Sequence, residues 1–179
     1  MILESIFAGF GGQGVMLMGQ LLAYSGMYEG KNVSYFPSYG PEMRGGTANC
    51  SVVVSDEPVA SPVISEPGIV VAMNRPSLDK FMPMIKPGGT LYYNSSLIDV
   101  KPERSDIKVF AIPANDIANE LGNIRVANMV IMGAILKSTG VVKLDTVMNV
   151  LLEKVLTGKK KDLAIINRAA LEKGMALVG

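Results

Sequence analysis

The sequence predicts a single α/β domain, a mostly parallel but mixed sheet with helices on both faces and a helical C-terminal part. Three observations point there. Short apolar runs alternate with stretches of helical spacing, the runs are apolar on both faces as in covered strands, and beyond Pro113 only helical spacing remains. The 179 residues, 49% of them hydrophobic, match one ordinary domain, and no linker, repeat or low-complexity tract divides residues 1–179.

Residues 2–8 form the first apolar run. They enter Gly9-Phe10-Gly11-Gly12-Gln13-Gly14, after which Val15, Met18, Leu21, Leu22 and Ser25 recur at helical spacing. This is strand, glycine loop and helix, the helix ending near Gly26 and Gly30. Residues 32–36 read as a second strand, making the opening a βαβ unit in outline. Residues 47–55 read as a third strand. Too few residues separate it from the second for a right-handed parallel crossover, so these two strands are predicted to pair antiparallel.

Residues 55–68, rich in Pro and Ser, read as an irregular excursion. Alternation then resumes with strands over 69–73, 90–93 and 108–112 and a short helix over 77–84. The helical remainder is broken at Gly122, Gly140 and Gly158, with apolar stripes such as Leu144, Val147, Leu151 and Val155, then Leu163, Ile166 and Ala170. The result is a Rossmann-like three-layer fold. In such sheets, ligands and partners meet the loops at the carboxyl ends of the parallel strands, here residues 9–14, 37–46, 74–77, 94–96 and 113–116.

Composition limits the chemistry. Seventeen basic and sixteen acidic side chains leave a net charge of +1, which disfavours nucleic acid or an anionic membrane surface as partner. No apolar run approaches the roughly 20 residues of a membrane span, and the first residues read as a strand rather than a signal peptide, which places the chain in the cytoplasm. Histidine is absent, so imidazole acid–base catalysis and His-rich metal sites are excluded from this polypeptide. The lone cysteine, Cys50, permits neither an internal disulfide nor a cluster held by several thiolates, and reads as a small hydrophobe buried in a strand. Twelve methionines and no tryptophan suit adaptable core and contact surfaces.

Gly9-x-Gly11-x-x-Gly14 matches a dinucleotide fingerprint in the right context, because glycine lets the backbone approach a phosphate at a helix amino end. An NAD site would place an acid at the end of the second strand, where Tyr35-Phe36-Pro37-Ser38 stand instead; Glu29 precedes that strand, at its wrong end. The loop then reads as a tight structural turn or a glycine surface for another subunit, with an anion or a shared cofactor phosphate as the alternative.

A second candidate is Pro37-Ser38-Tyr39-Gly40-Pro41-Glu42-Met43-Arg44-Gly45-Gly46-Thr47. Arg44 presents a planar fork for a carboxylate or phosphate, or pairs locally with Glu42, while Tyr39 and Arg44 are typical interface anchors. Ser77 reads as a helix cap, Asn128 as a buried amide that needs a partner and reaches the loop edge, and Lys159-Lys160-Lys161 as a solvated helix start. The candidate binding set is therefore Gly11, Gly12, Gln13, Gly14, Ser38, Tyr39, Arg44, Gly45 and Gly46, with no catalytic residue and no metal ligand.

AGFGGQGV at residues 8–15, SYGPEMRGGTANCSVVVS at 38–55 and AMNRPSLDKF at 72–81 resemble the gamma subunit of 2-oxoacid:ferredoxin oxidoreductases, and the likeness runs along essentially the whole chain. That resemblance implies a subunit of an assembly that oxidatively decarboxylates a 2-oxoacid with coenzyme A, giving an acyl-CoA, carbon dioxide and reduced ferredoxin. It implies alpha, beta and ferredoxin-like delta subunits as partners and ferredoxin as acceptor. Thiamine diphosphate, Mg2+, iron–sulfur clusters and coenzyme A belong to the complex, none bound by this chain alone, and the candidate set faces a partner or coenzyme A. The wording of the loop is closer to the 2-oxoglutarate and branched-chain members, with succinyl-CoA as product. An isolated chain is predicted inactive, with a homodimer as its alternative state. From the residues alone, a free-standing nucleotide-binding oxidoreductase or a regulatory binding module stays open.

Overall fold

A computed structural model of the chain describes residues 1–38 and 47–179, and of Thr47 and residues 159–161 only the backbone. Strands β1 (Ile2–Phe10), β2 (Asn32–Ser38), β3 (Thr47–Ser55), β4 (Ile69–Ala72), β5 (Thr90–Asn94) and β6 (Lys108–Ile112) form one sheet in the order β2-β3-β1-β4-β5-β6. β1, β4, β5 and β6 are parallel neighbours, while β3 pairs antiparallel with both β1 and β2. The mixed sheet and the antiparallel pairing of the second and third strands are as predicted. The βαβ reading of the opening needs correction: β2 runs in the direction of β1 but not beside it, because β3 lies between them and pairs along the whole of both strands.

The helices are α1 (Val15–Tyr28), α2 (Arg75–Phe81), α3 (Ala114–Glu120), α4 (Ala127–Thr139), α5 (Leu144–Lys154) and α6 (Ala164–Ala176), with 3-10 turns at Met82–Met84, Ile124–Val126 and Gly158–Leu163. The segment predicted as a helix over 77–84 starts earlier and tightens at its end, because Pro83 sits in the 3-10 turn where its missing N–H costs nothing. The predicted breaks fall where placed. Gly122, Gly140 and Gly158 all have positive φ, the left-handed conformation that ends a helix.

Helices cover both faces unequally. One face of the sheet, through Phe7, Cys50, Val52, Val54, Val71 and Tyr92, packs with α1 and α3 to α6 into a large apolar core. The other, through Ile6, Ala8, Val70, Ala72, Leu91 and Tyr93, is closed by Leu78 and Phe81 of α2 with Ile85 and Ile98. This split follows from alternation along each strand: adjacent residues such as Ile6 and Phe7 enter different cores, so β4 reads as an uninterrupted apolar run.

α4 is buried along ten consecutive residues from Ala127 to Leu136 and packs against α6 at backbone distance. A Cβ at Gly133 would overlap the carbonyl oxygen of Leu171, and one at Gly174 would overlap that of Val130. Each glycine thus faces the other helix's main chain, which cannot yield as a side-chain tip can. Gly133→Ala is expected to force the helices apart and to cost about 3 kcal/mol, read as a lowered urea midpoint at unchanged slope; a loss within experimental scatter of zero overturns this account of the contact.

Candidate functional site at the carboxyl edge of the sheet

At the end of β1 the chain turns through residues 11–14 into α1, whose amino end is Gly14 at φ 76°. The loop is filled from within. Gln13 folds back so that its Oε1 accepts the Phe10 N–H at 2.7 Å while its Nε2 donates to the Met73 carbonyl at 3.2 Å. One amide therefore ties the end of β1 to the end of β4. Between those strands the connections part, α1 packing on one face and α2 on the other, which makes this the switch point where open α/β sheets bind ligands. Gly9 leaves room for the clasp: a Cβ there would stand 2.7 Å from Gln13 Oε1 and 2.8 Å from Met73 Cβ. From α4, Asn128 Nδ2 donates to the Gly14 carbonyl at 3.3 Å, which gives the buried amide predicted from the sequence its partner on the loop.

Amides and hydroxyls join the neighbouring loops. Asn94, fully buried at the end of β5, donates through Nδ2 to Asn115 Oδ1 at 2.9 Å and accepts the Ser96 N–H at 3.3 Å; Ser96 Oγ in turn accepts the Asp116 N–H at 3.1 Å. Asn74 Oδ1 accepts the Ser77 N–H at 2.9 Å, so the cap of α2 is Asn74 rather than the predicted Ser77. The reason is position: Asn74 is the extended residue before the helix, whereas Ser77 already lies inside it. Arg75 is spent on an exposed pair with Asp79 at 2.8 Å. Neutral bonds thus fix the shape of the edge, and exposed Phe10 and Ile124 add apolar points to it.

A cleft of about 140 Å³ lies here, lined by Gly12, Gln13, Met73, Asn115, Arg125 and Asn128. Pockets that enclose whole ligands run to roughly 300–1,000 Å³, so this one does not enclose a nucleotide. Two further features oppose dinucleotide binding. β3, running the opposite way, occupies the place beside β1 where a dinucleotide fold puts its second parallel strand and the ribose-binding acid. Glu29, the first acid after the glycine loop, caps the far end of α1 and accepts the Lys143 N–H at 2.7 Å. A helix of 14 residues separates it from the glycine loop, about 20 Å at 1.5 Å per residue.

Cys50 is fully buried beneath α1, its thiol directed at the Val15 carbonyl at 3.6 Å. Burial pushes its pKa up to about 12, against a smaller lowering by the Gly19 backbone. A lone thiol does not fit an iron–sulfur cluster, which takes several thiolates, and the described residues hold no group of three or more metal-ligating side chains. Nor is any described helix long and apolar enough to cross a membrane.

Of the candidate set, Gly11 and Gly12 are exposed, while Gln13 and Gly14 are half-buried and held within the chain. Ser38 is exposed at the end of β2, on the same edge but across β3, opposite Asn49. Tyr39, Arg44, Gly45 and Gly46, with the Glu42 pairing, lie outside the described residues, as do the side chains of Lys159, Lys160 and Lys161. Sequence reading missed the Asn94–Asn115 bond. Its signal was an asparagine at the end of β5 and one within three residues after the ends of β4 and β6, where apolar strands give way to amides.

Fold and edge together define a Rossmann-like α/β domain whose glycine loop is closed by the chain's own amides. The chain belongs to the pyruvate ferredoxin/flavodoxin oxidoreductase family, which matches residues 4–177. Among curated relatives it is 42% identical over 138 residues to the ketoisovalerate oxidoreductase subunit VorA of Methanothermobacter marburgensis, covering 77% of this chain but only 28% of that longer protein. It is 35% identical to the 2-oxoglutarate synthase subunit KorC of Methanocaldococcus jannaschii, covering 96% of this chain and 91% of that one. Among solved structures, the gamma subunit of the keto/oxoacid ferredoxin oxidoreductase of Geobacter sulfurreducens matches with a TM-score of 0.83 at 30% identity, over 98% and 97% of the two chains. The 2-oxoglutarate:ferredoxin oxidoreductase of Magnetococcus marinus, solved with 2-oxoglutarate, coenzyme A and succinyl-CoA, matches with a TM-score of 0.89 at 27% identity, over 98% of this chain and 31% of that one. The fold is that of the family's gamma subunits, as the resemblance implied.

Gln13→Ala removes both halves of the clasp and is expected to cost about 1–2 kcal/mol, two modest hydrogen bonds at a partly exposed site, with amide exchange at Phe10 as the local readout; protection there unchanged from wild type counts against the clasp. Cys50 is expected to react with a disulfide reagent at least a hundredfold more slowly in the native chain than in urea at pH 8.5. Above the ordinary thiol value of 9.0 the unfolded chain releases this proton while the folded one keeps it to about 12. The unfolded state then binds fewer protons, so this group's contribution to stability falls as pH rises through that window. Labelling at equal rates in both states contradicts the burial.

Proposed function

We propose that this chain is the gamma subunit of a 2-oxoacid:ferredoxin oxidoreductase, and that it shapes the assembly around a reaction carried by other subunits. The preferred substrate is 2-oxoglutarate: with coenzyme A and two oxidised ferredoxins it yields succinyl-CoA, carbon dioxide, a proton and two reduced ferredoxins. The observation that carries this reading is the match of nearly the whole chain to one part of the Magnetococcus marinus enzyme, whose own ligands are 2-oxoglutarate, coenzyme A and succinyl-CoA. KorC points to the same acid, while VorA points to ketoisovalerate, so the branched-chain acid is the alternative substrate.

Thiamine diphosphate, Mg2+ and the clusters are assigned to alpha, beta and ferredoxin-like delta subunits in the cytoplasm, a reading supported by the lone cysteine of the sequence and by the lack of a metal-ligating group among the described residues. This chain's own share is positional. The exposed backbone of Gly11 and Gly12 and the exposed Ser38 sit on one edge, and residues 39–46 follow Ser38 in sequence. On this reading Tyr39, Arg44, Gly45 and Gly46 extend that edge toward coenzyme A or the catalytic subunits, with Arg44 supplying a fork for a phosphate. The amide bonds behind the edge hold it in one shape, so little ordering is left for the moment of binding.

The test is reconstitution. The chain alone is expected to turn over no 2-oxoacid and to show no saturable NAD binding, and with its partner subunits to give coenzyme A-dependent turnover. In that complex Arg44→Ala is expected to raise the KM for coenzyme A about tenfold, the loss of one charge-assisted hydrogen bond, with the isolated chain melting as wild type. Turnover by the isolated chain, or micromolar NAD binding with hydride transfer, refutes the assignment.

A further inference from the structure

α1 lies on the outside of the domain yet carries no charged residue, and none stands anywhere between Glu4 and Glu29. Its inner face, with Met18, Leu21, Leu22 and Ser25, is buried. The outward stripe, at successive helical turns, is Gln20, Tyr24 and Met27, of which Tyr24 is 40% and Met27 58% exposed. A helix face that meets water ordinarily carries Lys or Glu, and a helix apolar round its circumference is one covered on both sides. Tyr and Met in place of charge are also the composition of an interface centre.

Three hollows follow this stripe. The first, about 390 Å³, starts at Phe10 and the glycine loop and reaches Gln20; the second, about 200 Å³, runs from Gln20 past Tyr24; the third, about 380 Å³, lies between Met27 and Tyr35 of β2. Each shares Gln20 with the next, so the three adjoin as a broken groove from the carboxyl edge along α1, indented on the α5 side of the stripe by the second hollow and on the β2 side by the third. Its bordering charges are turned onto tyrosines: Lys154 Nζ sits 5.5 Å from the Tyr24 ring centre, and Glu153 accepts the Tyr28 hydroxyl at 2.7 Å.

We propose that this groove seats an uncharged, apolar segment of the catalytic polypeptide of the complex. The inference rests on the functional reading above. Two observations select this occupant over a second copy of the chain. In VorA and in the Magnetococcus marinus enzyme the matching part is 28% and 31% of a longer polypeptide, so there the domain shares its chain with a larger neighbour rather than standing beside a second copy of itself alone. And the groove opens onto the glycine loop, so a body that meets the carboxyl edge continues onto α1 without a break.

The test uses the full chain co-expressed with the thiamine- and cluster-binding subunits of its own organism. Gln20→Lys and Met27→Lys put a charge into the groove at exposed helix positions, where lysine suits a helix; Ile165→Lys on α6, 82% exposed, is the control. The partner captured on a tag is expected to fall at least tenfold in both groove variants and not in the control, with melting of the isolated chains unchanged. Capture at the wild-type level in both groove variants overturns the proposal while leaving the functional reading intact. An isolated wild-type chain that sediments as a dimer, and a Met27→Lys chain that does not, overturns the choice of occupant. If the wild-type chain captures no partner at all, the functional reading fails first and the proposal with it.

Discussion

The insertion of one antiparallel strand governs most of what this domain does and does not offer. β3 pairs with β1 across Ile2 to Phe10 and with β2 across Asn32 to Ser38, so it separates two strands that a dinucleotide fold places side by side. Hydrogen bonds along a whole strand leave no room between β1 and its neighbour for a ribose. They also carry β2 to the rim of the sheet, where Pro37, which has no N–H to give, is tolerated. The glycine loop keeps the sequence of a phosphate-binding turn, but its space is taken by Gln13 and its flank by Asn128.

Where periodicity and chain length set the answer, the sequence was readable. The six strands, the antiparallel second pair and the three glycine breaks follow from apolar runs, from a connection too short for a crossover and from residues that tolerate positive φ. Spatial order was less accessible, because nothing in residues 2–55 announces that β3 enters between β1 and β2 rather than outside them. The cap of α2 was misplaced by three residues for a related reason. Asn74 and Ser77 are both good caps, and only the backbone angle at Asn74 decides between them.

The candidate edge was legible as a set of loops but not as a network. Asn128 stood out because an amide among apolar residues must find a partner, and it did. Gln13 did not stand out, since a polar residue in a glycine turn passes for a solvent-facing one. Its inward fold depends on Gly9 having no side chain and on Met73 arriving from a strand distant in sequence. The lack of any charged residue on α1 is a property of composition: apart from Glu4, the charged side chains of this sequence begin at residue 29, beyond the first strand and helix.

The close contact of α4 with α6 reaches further than the two helices. α4 carries both Gly133, which touches the main chain of α6, and Asn128, which holds the first loop. A rigid rod pressed at one point and hooked at another transmits displacement along its length. Helix α6 therefore acts as a buttress for the first turn, and a side chain added at Gly133 or Gly174 would press on a rod whose other contact is a loop well over a hundred positions earlier in the polypeptide.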